Sequence, residues 1–192
     1  YMALKFHFQN QEWLRWEEDI RFHRPEAVQY YGEKLQEEID FWSFCQYKFF
    51  QQWNRLKKYA HKKHIYFIGD IPLYVSLDSA DVWAHPELFQ LDENRRPTKV
   101  AGVPPDCFSA DGQRWGNPLY NWKVMESDGF KWWSKRMKAN ARLFDVIRID
   151  HFIGIVNYWS IPADCPTAVD GQWIKGPGKK LTDVIRKATK GV

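Results

Sequence analysis

The chain has 192 residues, 44% of them apolar and 27% charged, with a formal net charge of +4. These values suit a globular protein of one domain or two with a substantial core. They come with no apolar run long enough to span a membrane, no signal peptide, and none of the folded-motif signatures of nucleic-acid binding.

Residues 1–24 are rich in aromatic and charged side chains, with a short helical candidate around Gln11 to Asp19. Pro25 suits the first turn of a helix. From Glu33 to His61, Leu35, Ile39, Trp42, Phe49, Trp53, Leu56 and Ala60 recur at steps of three and four, which predicts a core-packing helix with one apolar face. Its last turns carry the densest basic cluster, with Lys57, Lys58, Lys62 and Lys63, best read as a solvated face near a helix C-terminus.

The run Ile65 to Ile68 ends at Gly69-Asp70 and predicts a short buried strand. Next comes an excursion from about Pro72 to Ser127, studded with Pro, Gly and aromatics, expected to be a stiffened loop that holds rings over a groove. A packed structural insertion is the alternative. Phe130, Trp133, Met137, Ala141 and Phe144 again step at helical spacing, and a buried strand Val146 to Ile149 follows. Strand, excursion, helix and strand make a βαβ unit with parallel strands. Asp70 and Asp150 both stand at C-terminal strand ends, the face that carries the active site in a (β/α)₈ barrel.

Arg148 and Asp150 are two apart on a strand, so they share a face. A carboxylate beside a guanidinium stays ionised, the state a carboxylate nucleophile requires. A structural ion pair would look the same in sequence. His151 is next to Asp150 on the opposite strand face, and a purely structural role fits it equally well. The other histidines, His7, His23, His61, His64 and His85, are scattered, and no metal site is expected.

Cys45, Cys107 and Cys165 are about sixty residues apart and form neither a metal-ligand spacing nor a disulfide framework. Reduced thiols in the cytoplasm are the expectation. Aromatics make up 17% of the chain, including eleven Trp. Large rings fill cores, and they also suit stacking on the C–H faces of sugars; composition leaves both open.

Several long motifs narrow these alternatives. They are Gly69-Asp70-Ile71-Pro72-Leu73-Tyr74-Val75 with Asp78-Ser79-Ala80-Asp81-Val82-Trp83, and Gly102-Val103-Pro104-Pro105-Asp106 running on to Gly112-Gln113-Arg114-Trp115-Gly116-Asn117-Pro118-Leu119-Tyr120. Arg148-Ile149-Asp150-His151-Phe152, Ile161-Pro162-Ala163 and Cys165-Pro166-Thr167-Ala168 complete the set. In this order, and over essentially the whole chain, they resemble the 4-alpha-glucanotransferases, or amylomaltases, of glycoside hydrolase family 77.

The resemblance implies an α/β fold that is part of a (β/α)₈ barrel of the α-amylase type, with inserted helices and a long loop over the active site. Residues 1–64 would be a helical segment flanking the barrel, and 65–192 a central barrel part. It implies transfer of α-1,4-glucan segments between maltooligosaccharides by retaining double displacement, without a cofactor. Asp150 matches the nucleophile and Arg148 the arginine that orients it. Asp70 matches a supporting acidic residue. Trp115 is expected to stack on a glucose ring. Asp106, Gln113, Asn117 and His151 are expected to make further substrate contacts.

Two departures stand out: Cys107 where many members carry an aromatic, and Ile153 where some carry Arg. The family's acid/base Glu has no counterpart after Val146–Ile149, where the only acidic residues beyond Asp150 are Asp164, Asp170 and Asp183. The chain therefore reads as an internal fragment, expected to be inactive alone. An α-glucan hydrolase and a non-catalytic glucan-binding piece are the alternatives.

Overall fold

Pro25 opens a helix at its first position, where its missing N–H is not needed. That helix belongs to the first of two units in the computed structural model, which describes residues 1–189. The first unit comprises Tyr1–Tyr66 with Asp78–Ala84, the second Phe67–Leu77 with the chain from His85 onward. No helix among the described residues is long and apolar enough to cross a membrane.

The first unit holds α1 (Met2–His7), α2 (Glu18–Arg21), α3 (Pro25–Lys34), α4 (Gln36–His61) and α5 (Ala80–Ala84). Around Gln11 to Asp19 the chain makes only a 3₁₀ turn, Trp13–Arg15, before α2. The core is aromatic: Trp13, Trp16, Ile20, Tyr31, Val82 and Trp83 are buried, and Trp83 Nε1 donates to Ile20 O at 2.8 Å. Asp78 ties the unit together by accepting from Tyr1 Oη, Lys5 Nζ and the Trp13 N–H. Burial works to raise its pKa, but these donors outweigh it and hold the carboxyl below its ordinary value.

The expected helix from Glu33 to His61 is divided at Leu35, which ends α3 and precedes α4. Its expected core-packing face is also not buried. Among the named positions Leu35 and Ala60 are buried, Ile39, Trp42 and Trp53 are half-buried, and Phe49 and Leu56 are exposed. The periodicity is real, but the face is only partly covered by described residues. Phe49 and Trp53 stack on each other at i,i+4 instead.

The second unit holds β1 (Ile68–Ile71), β2 (Lys99–Val103), β3 (Gln113–Pro118), α6 (Trp122–Ser127), α7 (Lys131–Leu143), β4 (Val146–Ile149), β5 (Asn157–Pro162), β6 (Gln172–Lys175) and α8 (Lys179–Ala188). β1 and β4 pair in parallel, as the βαβ reading requires. The first strand starts three residues later than expected, so Asp70 lies within it. Neither strand is buried as expected: Ile68 is 71% and Val146 50% exposed. These two strands make a sheet of their own, and no third described strand flanks them.

Asp145 anchors the start of the pair. Its Oδ2 accepts from the Phe67 N–H, while the Asp145 and Val146 N–H groups donate to Phe67 O. Gly69 is required for close approach, since a Cβ there would sit 2.0 Å from the Phe144 ring.

The excursion is not a loop. It contributes α5 to the first unit, and β2 and β3 to an antiparallel sheet ordered β3-β2-β5-β6. One side of that sheet is a dry core of Val100, Ile161 and Ala168. Gly102 allows the strands to close there, because a Cβ would meet Gln113 O at 2.1 Å. Tyr120, Met125 of α6, and Trp133 and Met137 of α7 are also buried, and the Tyr120 and Trp133 rings meet edge-on at 5.8 Å.

Candidate active site

The β1–β4 register sets Asp70 opposite Arg148, and Asp150 follows two residues later. The Asp150 N–H donates to Ile71 O at 2.8 Å, extending the ladder past β4. All three side chains meet. Arg148 Nε donates to Asp70 Oδ1 and Nη2 to Asp150 Oδ1, each at 2.9 Å. One guanidinium thus joins two carboxylates, using a single oxygen of each. Its own pKa is raised above the already high value, first by the hydrogen bond to Asp70 and then by the charges of Asp70 and Asp150. The three side chains are each about 60% exposed, so water screens their charges.

His151 takes a left-handed conformation, φ +52°, and the chain turns away from the strand there. Its ring meets Trp115 edge-on at 4.8 Å between centroids and approaches Tyr74 at 6.2 Å. Burial lowers its pKa from the ordinary 6.5, against the pull of the Asp150 charge. The imidazole is therefore neutral at pH 7. Its Nε2 is buried with no hydrogen-bond partner among the described residues.

Trp115 lies on β3, where its Nε1 donates to Gln113 Oε1 at 3.0 Å, and 39% of the residue remains exposed. Gln113, Trp115 and His151 accordingly form a second group beside the charged triplet. The remaining two expected residues hold backbone. Asn117 Nδ2 donates to Val75 O at 2.9 Å. Asp106 Oδ1 accepts from the Phe108 and Ser109 N–H groups, shaping the turn between β2 and β3. Phe108 stands at that turn 93% exposed.

Tyr74, to which the sequence reading assigned no role, is buried and touches both Trp115 and His151. Its signal was an aromatic four residues after Asp70 within one motif. Among the described residues no three His, Cys, Asp or Glu side chains gather to hold a metal ion.

A family model described as 4-alpha-glucanotransferase matches residues 1–191. The chain belongs to glycoside hydrolase family 77. Among family members, it is 47% identical to the 4-alpha-glucanotransferase of Clostridium butyricum over 188 residues, covering 97% of this chain and 39% of that one. The Thermus thermophilus 4-alpha-glucanotransferase is 51% identical over 187 residues, 97% of this chain and 37% of its relative. An amylomaltase from Streptococcus agalactiae, solved in complex with acarbose, superposes with a TM-score of 0.93 at 45% identity. That match covers all of this chain and 39% of the solved one. The chain thus spans well under half the length of these relatives.

Proposed function

We propose that this chain carries the nucleophile side of an α-1,4-glucan transfer site. The observation that carries the reading is the single guanidinium of Arg148 joining Asp70 and Asp150 at the ends of two parallel strands. In this reading Asp150 attacks the anomeric carbon of a bound maltooligosaccharide. The glycosyl group becomes bonded to its carboxylate, and the leaving sugar oxygen takes a proton from an acid. An acceptor sugar, deprotonated by the conjugate base, then displaces Asp150, and the two successive inversions give net retention.

Arg148 orients the attacking carboxylate, and Asp70 supports Arg148 from the other side. Asp70 accepts from Arg148 Nε, a geometry for supporting charge rather than delivering a proton. Trp115 stacks on a glucose ring, with His151 and Gln113 offering polar contacts. Asp106 and Asn117 act through the backbone they hold. β1 and β4 are two strands of a (β/α)₈ barrel; residues 1–64 flank it, and 65–192 are a central part of it. The free thiols of Cys45, Cys107 and Cys165 fit a reducing cytoplasm.

The test uses the protein expressed from its full reading frame. A fluorinated glucosyl donor that reacts slowly should leave a covalent sugar on Asp150, found by peptide mass spectrometry. A sugar on any other residue overturns the assignment. With maltotriose, product analysis should show redistribution of chain lengths without a net rise in reducing ends; a net rise would mark a hydrolase. The 192 residues alone should not carry out this transfer, since no Glu stands in a matching acid/base motif after β4 and such assistance is worth about 10²–10⁴-fold.

A further inference from the structure

Pro72 to Val75 follow β1 outside any strand or helix, yet Leu73 and Tyr74 are only 1% and 5% exposed. Backbone carbonyls in such a place need donors. Here three side chains from separate places in the unit supply them. Arg136 of α7 donates Nη2 to Pro72 O at 2.6 Å and Nη1 to Leu73 O at 3.1 Å. Tyr120 Oη also donates to Leu73 O, at 2.7 Å, and Asn117 of β3 donates to Val75 O. Arg136 is braced in turn by the faces of Trp132 and Trp133, at 5.3 and 5.0 Å from the ring centroids.

What this clamp holds is Tyr74. Its ring stacks on Tyr120 at 5.8 Å and 24° and reaches Trp115 at 6.4 Å and His151 at 6.2 Å. We infer that Arg136 and Tyr74 are positioning residues: Arg136 fixes the Pro72–Leu73 backbone, and Tyr74 thereby sets the orientation of Trp115 and His151. The catalytic consequence rests on the proposed glucan-transfer reading. The geometric consequence does not. Arg136 is suited to the task because its planar fork spans two successive carbonyls, which a lysine ammonium cannot do in the same way.

Two measurements on the protein expressed from its full reading frame test this. The first follows the His151 imidazole by NMR titration, with its signal assigned through His151→Gln. The titratable groups facing that ring are Asp150, its chain neighbour, and Tyr74; β3 presents the uncharged Trp115. Removing Tyr74 admits water beside the ring, so in Tyr74→Ala the pKa should rise toward its ordinary value. Arg136→Ala should move it the same way by less, and Tyr74→Phe, which keeps the ring, should leave it unchanged. Tyr74→Leu and Arg136→Lys carry the same test if the alanine variants do not fold.

The second measurement is maltotriose kinetics. Tyr74→Ala should lower kcat/KM about 10- to 100-fold, with Tyr74→Phe close to wild type. An unchanged His151 titration in folded Tyr74 and Arg136 variants would overturn the inference and leave both residues as packing alone. A wild-type protein that transfers no glucan would instead overturn the proposed function, while the titration still decides the positioning role.

Discussion

The β1–β4 pair and the β3-β2-β5-β6 sheet lie in the same unit and bury very different things. Along the pair, Ile68, Val146 and the Asp70–Arg148–Asp150 triplet are all exposed. In the antiparallel sheet, Val100, Ala101 and Ile161 are essentially inaccessible. The lesson is a division of labour. Charge is held by register and ion pairing where packing is light, and shape is held by apolar contact where packing is dense. Trp115 sits between the two regimes, rooted on β3 yet partly exposed.

Variants can break this contrast or sharpen it. The largest effect should come from Asp150→Asn, which should lower maltotriose turnover about 10⁴-fold or more in the protein expressed from its full reading frame. Its melting temperature should hardly change, because the carboxylate is exposed. Ile161→Ala should do the opposite, removing about 2–5 kcal/mol of stability by urea unfolding while the folded fraction keeps its turnover. If Ile161→Ala abolished turnover without destabilising the protein, the division would fail. Arg148→Ala should lower turnover about 10²–10³-fold, by loss of a charged donor to the reacting group. A normal rate with a large loss of melting temperature would recast the triplet as a structural ion pair. Trp115→Ala should be mildest, weakening maltooligosaccharide binding by about 1–2 kcal/mol in calorimetry with little loss of stability. Unchanged affinity would remove Trp115 from the ligand surface.

How much of this was legible in the sequence depended on whether the cause was local. β4 falls at Val146–Ile149 as expected, α7 follows the Phe130-to-Phe144 spacing, and α3 begins at Pro25. Each has its signal within its own few residues. The antiparallel sheet escaped notice because its strands are short and interrupted. β2 contains Gly102 and an irregular register between Val100 and Gly102, and β3 contains Gly116 and Pro118. The second partner of β2 is β5, whose residues pair from far along the chain, as in Val100 with Ile161.

The exposed face of α4 misled for a different reason: a periodic apolar stripe shows that a helix has a sticky side, not what covers it. At the site, the alternation rule correctly brought Arg148 and Asp150 together. It could not foresee that Arg148 would also take Asp70 from another strand. It also could not show that Asn117 and Asp106 would be engaged with backbone.

The hydrogen bond from Arg148 to Asp70 spans 78 positions of chain. Closing a loop of that length costs about 4 kcal/mol of chain entropy beyond a constant. On a ribosome adding about 5–20 residues per second, Asp70 emerges about 4–16 s before Arg148. During that interval the edge of β1 that will take β4 is unpaired and open to pairing with other chains. An acidic side chain in the middle of so short a strand repels a second copy of itself. The carboxylate that later supports Arg148 would thus first act as a gatekeeper against self-association during synthesis.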